Sequence, residues 1–276
     1  MRAKLLVLLV GVALVASCGQ PATATSAAAH REGHAGHDGH EEPPSPPGSP
    51  SIPRGDTFGL PADIVARIPH FPPPPTPAPV TIPPGVSAGW FSAIPTTQKV
   101  AFITIDDGWN KDPHAEALFR YAHVPVTLFL EINAIKMQPD FFKPLVAAGA
   151  TVEAHTITHQ ELRGKSYDVQ QHEICGSADQ LQQYYGTRPT LFRPPFGDKD
   201  ATTLRAVHDC GLKAAFFWKE TTDKGIVRYQ EGNMMKPGDI ILMHFRPAFV
   251  DDFLAVLTAI HDAGLTPARL EDYINT

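Results

Sequence analysis

Six polar residues in this 276-residue chain sit where short apolar runs end. Asp106 and Asp107 close the run from Val100 to Ile105, and His155 closes the run from Ala150 to Ala154, with His159 four residues on. Arg193 follows Thr190-Leu191-Phe192, and His244 follows Ile240-Ile241-Leu242-Met243. Two imidazoles and a carboxylate make a common open zinc site, in which three ligands leave room for water and a carbonyl. The remaining carboxylate and imidazole can move protons. The chemistry suggested is metal-assisted hydrolysis.

Residues so far apart in sequence meet only if the elements carrying them converge. Strand-like runs fall near 99–105, 126–130, 150–154, 190–192, 213–218, 239–243 and 265–268. Helical spacing of three and four lies between them, most clearly over 169–185 (Val169, Ile174, Ala178, Leu181, Tyr185), 200–210 and 250–263. Gly186, Gly211 and Gly264 follow these three segments as C-terminal caps would. Seven strands alternating with helices predict an α/β fold with a parallel sheet. Polar residues end nearly every strand and no glycine-rich phosphate loop follows the first, so the expectation is a (β/α)7-type barrel, whether complete or incomplete. In a barrel, the C-terminal strand ends share one face. Adjacent Asp106 and Asp107 would point to opposite sides of a strand. They can share a site only if the chain bends there, as Gly108 permits.

Four motifs in order resemble the polysaccharide deacetylase family, carbohydrate esterase family four: Thr104-Ile105-Asp106-Asp107-Gly108, His155-Thr156-Ile157-Thr158-His159, Arg193-Pro194-Pro195-Phe196-Gly197 and Leu242-Met243-His244. The resemblance spans essentially all of 98–276 and implies a distorted barrel. It also implies a divalent metal, Zn2+ by donor type, on Asp107, His155 and His159, with Asp106 as base. Arg193 would grip Asp106 through a charge-assisted fork. The backbone N–H of Phe196, next to Pro195, would face a developing oxyanion. His244 would protonate the leaving amine, and Trp218 and Leu242 would wall an acetyl-sized pocket, although either could simply be core. The fourth family motif departs. Its aspartate is missing near Thr221 in Trp218-Lys219-Glu220-Thr221-Thr222-Asp223, leaving Glu220 or Asp223 to tune His244, with Glu220 preferred for reach. Trp109, where the family often has proline or tyrosine, is a milder departure.

The N-terminal part reads differently. Arg2 and Lys4 precede an apolar run, Leu5 to Ala16, of signal-peptide length. Val15-Ala16-Ser17-Cys18 resembles a lipoprotein cleavage box, so residues 1–17 are expected to be a signal and Cys18 a lipidation site, the one membrane contact. Residues 18–97 are expected to be a disordered His- and Pro-rich linker. Sixteen of the 28 prolines fall in 43–84, which favours an extended spacer, although Val86, Trp90, Phe91 and Ile94 could dock on the domain. His30, His34, His37 and His40 lie in a tract without preformed geometry and read better as solvated linker than as a metal trap. The domain, 98–276, is long enough for a substantial core. If Cys18 is lipidated, Cys175 and Cys210 remain as a pair in an oxidising compartment, on helices flanking one strand. A net charge of -6 without a basic stripe points away from nucleic acid.

The leading reading is an exported, metal-dependent deacetylase of an N-acetylated polysaccharide, such as cell-wall glycan or a chitin-like polymer. A non-catalytic glycan-binding lipoprotein on the same barrel is the alternative, favoured by the altered fourth motif. A glycosidase fits poorly, because neighbouring carboxylates cannot flank a glycosidic bond.

Overall fold

The structure, a computed structural model, describes residues 56–275. The signal segment, Cys18 and the histidine tract lie outside the described residues. The strands are β1 (Val80–Thr81), β2 (Gly89–Phe91), β3 (Val100–Asp107), β4 (Thr127–Leu130), β5 (Thr151–Ala154), β6 (Leu191–Phe192), β7 (Ala214–Phe216), β8 (Glu220–Asp223), β9 (Ile226–Tyr229), β10 (Ile240–His244), β11 (Thr266–Pro267) and β12 (Ile274–Asn275). The α-helices are α1 (Ala62–Val65), α2 (Ala115–Ala122), α3 (Ile132–Ile135), α4 (Lys143–Ala147), α5 (Tyr167–Tyr185), α6 (Ala201–Asp209) and α7 (Phe249–Asp262).

All seven expected strands form, as β3, β4, β5, β6, β7, β10 and β11, and they belong to one curled sheet. Its order is β2-β7-β6-β5-β4-β3-β10-β8-β9, with β11 beside the start of β3. Every pairing in it is parallel except the β8–β9 hairpin. The strand path runs from β2 to β9 without pairing them. Across the gap, Ala93 bridges Asp239, and Ile94 N–H donates to Gly238 O at 2.8 Å. The barrel is therefore distorted and incompletely closed.

Strand alternation divides the core in two. On β3, Val100 and Phe102 face inward with Phe129, Leu191, Phe216, Ile240 and Tyr273, while Ala101, Ile103 and Ile105 face the helices. Both faces are covered, which is why β3 reads as an almost unbroken apolar run. Gly186, Gly211 and Gly264 end the three long helices with positive φ, as expected.

Three expectations need correction. The domain does not begin at residue 98. β2 pairs with the β7 edge, β1 pairs with β12, and Leu60, Ile68, Ala88 and Ile94 are buried. A proline-rich chain is already extended, so laying it along the barrel sacrifices little conformational freedom, and a few apolar residues suffice to anchor it. Val86 is not one of them, being 77% exposed. The β8–β9 hairpin was missed because β8, Glu-Thr-Thr-Asp, has no apolar run. On α5, Val169 faces solvent and Gln170, Glu173 and Ser177 join Ile174, Ala178 and Leu181 on the buried face.

Cys175 of α5 is bonded to Cys210 at the end of α6, with Cα atoms 5.0 Å apart. The bridge closes a loop of 35 residues around β6. Replacing both cysteines by serine is expected to lower the unfolding free energy by about 3–4 kcal/mol, by restoring loop entropy to the unfolded chain. Thermal unfolding of the double variant checks this, and an unchanged midpoint would count against a formed bridge.

Candidate metal centre and active site

Strand register brings the polar residues to one level. His244 stands opposite Asp106, and Asp107, Leu130, Ala154 and Phe192 form a continuous row across β3, β4, β5 and β6. His155 and Arg193 each follow that row by one residue. All of these residues are therefore at the C-terminal mouth of the barrel.

Alternation carries Asp106 inward after Phe102 and Thr104, and would carry Asp107 outward. Asp107 instead takes φ 71°, so the bend falls on the aspartate itself and returns its carboxylate to the mouth. Gly108 follows at φ 110°, where a Cβ would lie 2.7 Å from Ile135 and 3.0 Å from Phe142. Thr156, His159 and Phe196 also have positive φ. Such residues cost of order 1–3 kcal/mol each and persist where the surroundings over-determine them.

Asp107, His155 and His159 converge, with their ligand atoms all within 4.8 Å of one another. The Nε2 atoms of both histidines lie 3.5 Å from Asp107 Oδ1. His155 Nδ1–H donates to Arg193 O at 2.7 Å, which leaves Nε2 free as a donor atom. Among the described residues, buried Asp107 Oδ1 has no hydrogen bond of ordinary geometry, its neighbours being the two imidazole nitrogens at 3.5 Å. An orphaned carboxylate oxygen between two imidazoles fits a divalent ion. Burial alone would raise the Asp107 carboxyl, but His155, His244 and His159 outweigh it and hold it at about 2. Burial lowers His155, yet Asp106 and Asp107 prevail and raise it. Burial and the neighbouring His155 pull His159 down.

Arg193 is fully buried. Its Nη1 donates to Asp106 Oδ1 at 2.8 Å and to Thr104 Oγ1 at 2.7 Å, and Nη2 reaches Phe217 O at 3.2 Å. The expected two-pronged fork on Asp106 is thus a single bond, because the guanidinium also has Thr104 and a carbonyl to satisfy. Its Cζ lies 4.4 Å from the centre of the Phe129 ring and 5.8 Å from that of Trp218. Trp218 stacks on Phe217 at 4.1 Å, Leu242 is buried beside Thr104, and Pro195 is buried. Phe196 is 65% exposed and sets its ring edge-on to His159, 4.8 Å between centroids.

Neither proposed partner of His244 serves it. Glu220 pairs in register with Ile241, three residues before His244, or about 10 Å along the strand. Burial, and then Asp239, push its carboxyl up to about 9. Asp223 faces Arg228 and Arg246, 3.9 Å from each. Burial lowers His244; Asp106 and Asp107 oppose this, while Arg246 and His155 add to it.

Two buried glutamates escaped the sequence reading. Glu173 of α5 accepts from Ile157 N–H, Thr158 N–H, Thr158 Oγ1–H and Gln160 Nε2–H, all at 2.8–2.9 Å, and so holds the loop that carries His159. The signal was a charged residue on the apolar stripe of α5. Glu131 follows β4 and accepts from Trp109 Nε1–H at 3.0 Å; burial and then Asp107 raise it to about 7. Like the other site residues it ends a strand, at the run Val126 to Leu130.

A chain shortened to begin at residue 56 is expected to bind one divalent ion and to lose it on combined His155→Ala and His159→Ala substitution; metal analysis that still finds the ion would refute the triad. Glu173→Ala should weaken the ion by about 10- to 100-fold without touching a ligand. Because His155 holds its proton above the ordinary imidazole value, affinity measured by calorimetry should fall as pH drops through that region. Glu220→Gln should leave the alkaline limb of the activity profile unmoved. The carboxyl is raised in the fold, so its contribution to stability is full below its ordinary 4.5 and is lost as pH rises through about 9. The variant should therefore flatten stability over that window, as denaturant titrations at pH 5 and 9 would show.

Residues 93–215 match the family model described as polysaccharide deacetylase. The protein SCO4760 of Streptomyces coelicolor is 37% identical over 185 residues, 65% of this chain and 74% of that protein. Peptidoglycan-N-acetylmuramic acid deacetylase PdaA of Bacillus subtilis is 26% identical over 161 residues, covering 54% of this chain and 61% of that enzyme. The solved structure of PdaA, a family 4 carbohydrate esterase, superposes with a TM-score of 0.58 at 21% identity, covering 68% of this chain and 85% of that one, and supports the fold. With the motif residues gathered at one barrel mouth and these likenesses spanning the same region, the chain belongs to the polysaccharide deacetylase family.

Proposed function

We propose that this protein is a metal-dependent hydrolase that removes acetyl groups from an N-acetylated sugar polymer. The carrying observation is the orphaned, buried Asp107 Oδ1 between two imidazoles, with Asp106 and His244 in register beside it. Asp107, His155 and His159 would hold the ion, and the donor set suits Zn2+. A divalent ion there supplies Lewis acidity toward water and toward an acyl carbonyl.

This chain's own groups do the rest. Asp106, oriented by Arg193, takes the proton of the attacking water. Arg193 is too buried to reach substrate and acts by holding that carboxylate. The Phe196 N–H, in a turn braced by Pro195, donates to the oxygen that gains charge as the carbonyl carbon becomes tetrahedral. His244 gives its proton to the departing sugar nitrogen, so acetate and a free amine result. Trp218 and Leu242 confine the acetyl methyl group.

The relatives named above include an enzyme of peptidoglycan, and others are called chitooligosaccharide deacetylases. Cell-wall glycan or a chitin-like polymer is accordingly the substrate class proposed. The signal-like N-terminus, the Val15-Ala16-Ser17-Cys18 box and a disulfide suited to an oxidising compartment support export and lipid anchoring at Cys18. One observation favours a non-catalytic glycan binder instead: among the described residues, neither Glu220 nor Asp223 takes the place of the family's fourth-motif partner of His244.

Acetate release from a panel of glycans, after chelation and again with zinc restored, separates the two. Acetate is expected only with metal, and Asp106→Asn should cut the rate by about 100- to 10,000-fold while retaining the ion. Binding without acetate from any glycan would establish the non-catalytic reading.

A further inference from the structure

Trp109 is 60% exposed, although tryptophan is usually among the more buried residues. It is not loose. Its indole Nε1–H donates to Glu131, a carboxylate whose residue is only 2% exposed. The neighbouring backbone is tied down on both sides. Asn110 N–H donates to Phe245 O at 3.2 Å, and Asn110 Nδ2–H to Arg246 O at 3.2 Å. Lys111 Nζ donates to Ala134 O at 2.7 Å and to Trp109 O at 3.3 Å. Gly108 lets this turn press on Ile135 and Phe142.

A large aromatic ring is thus fixed by its polar edge with much of its apolar surface in water, two residues from a metal-ligating aspartate. Leaving that surface exposed forgoes burial worth roughly 25 cal/mol per Å2. Committing a buried carboxylate to hold it there makes structural sense only if something covers the ring. Pyranose rings present a face of polarised C–H groups that packs on aromatic π surfaces, while their hydroxyls remain solvated. Phe196 offers a second exposed ring, against His159, from the loop after β6.

We propose that Trp109 is a stacking platform for a sugar ring of the polymer next to the acetylated unit, and that Glu131 is the positioning residue that fixes it. The proposal rests on the deacetylase reading for the substrate class, but stacking is a binding property and can be measured without turnover. The indole supplies apolar area and orientation; Glu131 supplies rigidity, so that little freedom is lost when the sugar docks.

The test uses the metal-loaded full chain and the tetramer of N-acetylglucosamine as probe. Calorimetry gives affinity, indole emission reports the platform, and acetate release gives KM and kcat. Trp109→Ala is expected to weaken tetramer affinity and raise KM by about 3- to 10-fold, with a much smaller change in kcat. The emission change on binding should shrink in Trp109→Phe to what Trp218 at the acetyl pocket contributes, and this variant, which keeps a ring, should retain part of the affinity. Glu131→Ala should reproduce part of the Trp109→Ala loss, and Glu131→Gln, which keeps an acceptor for the indole, should restore it. Equal tetramer affinity in wild type and Trp109→Ala overturns the proposal, as does a wild-type protein that does not bind the tetramer. Trp109-dependent binding without acetate release upholds the platform and refutes the deacetylase reading alone.

Discussion

A guanidinium in the middle of a barrel must be neutralised and hydrogen-bonded, and the site is arranged around that requirement. Arg193 meets most of it with Asp106, Thr104 and the Phe217 carbonyl, and with the faces of Phe129 and Trp218, while its buried Nε finds no hydrogen-bond partner among the described residues. Its own carbonyl accepts from His155 Nδ1–H. One residue therefore orients the proposed base through its side chain and a proposed metal ligand through its backbone. Removing it would leave Asp106 buried without its charge partner and His155 with the same carbonyl on a relaxed chain.

The second constraint is geometric. A strand alternates its side chains, yet the proposed mechanism needs neighbours Asp106 and Asp107 on one side. The positive φ at Asp107 resolves this, and the site absorbs further strain at Thr156, His159 and Phe196. Buried carboxylates hold the strained loops. Glu173 accepts four hydrogen bonds from residues 157–160, and Glu131 ties the turn after β3 through Trp109. Both act on loop position and leave the chemistry to other residues.

The proline-rich stretch from about residue 57 onward is part of the domain. β2 continues the sheet beyond β7, and β1 pairs with the last strand. Covering an open sheet edge with pre-extended chain avoids a free row of backbone donors and acceptors. Its few apolar anchors, among them Leu60, Ile68 and Ile94, lie too far apart for any periodic pattern to show.

Much of the fold and the site was legible in the residues themselves. The seven runs became strands because a parallel strand covered on both faces must be apolar, and such runs stand out. The polar residues ending them met because parallel strands in register end together; Asp106, Asp107, His155, His159, Arg193 and His244 needed no further information. The hairpin beside β10 was invisible because β8, although it lies between β10 and β9, is polar and carries no apolar signature. The fate of Glu220 and Asp223 depended on register and on competing partners, Asp239 for one and two arginines for the other. Glu173 and Glu131 could be named only once α5 was seen against the 156–160 loop and β4 beside β3. Local sequence determines which residues can do chemistry and which runs can be strands. Whether a given charge reaches a given partner depends on distances between segments far apart in the chain, and those exist only in the packed structure.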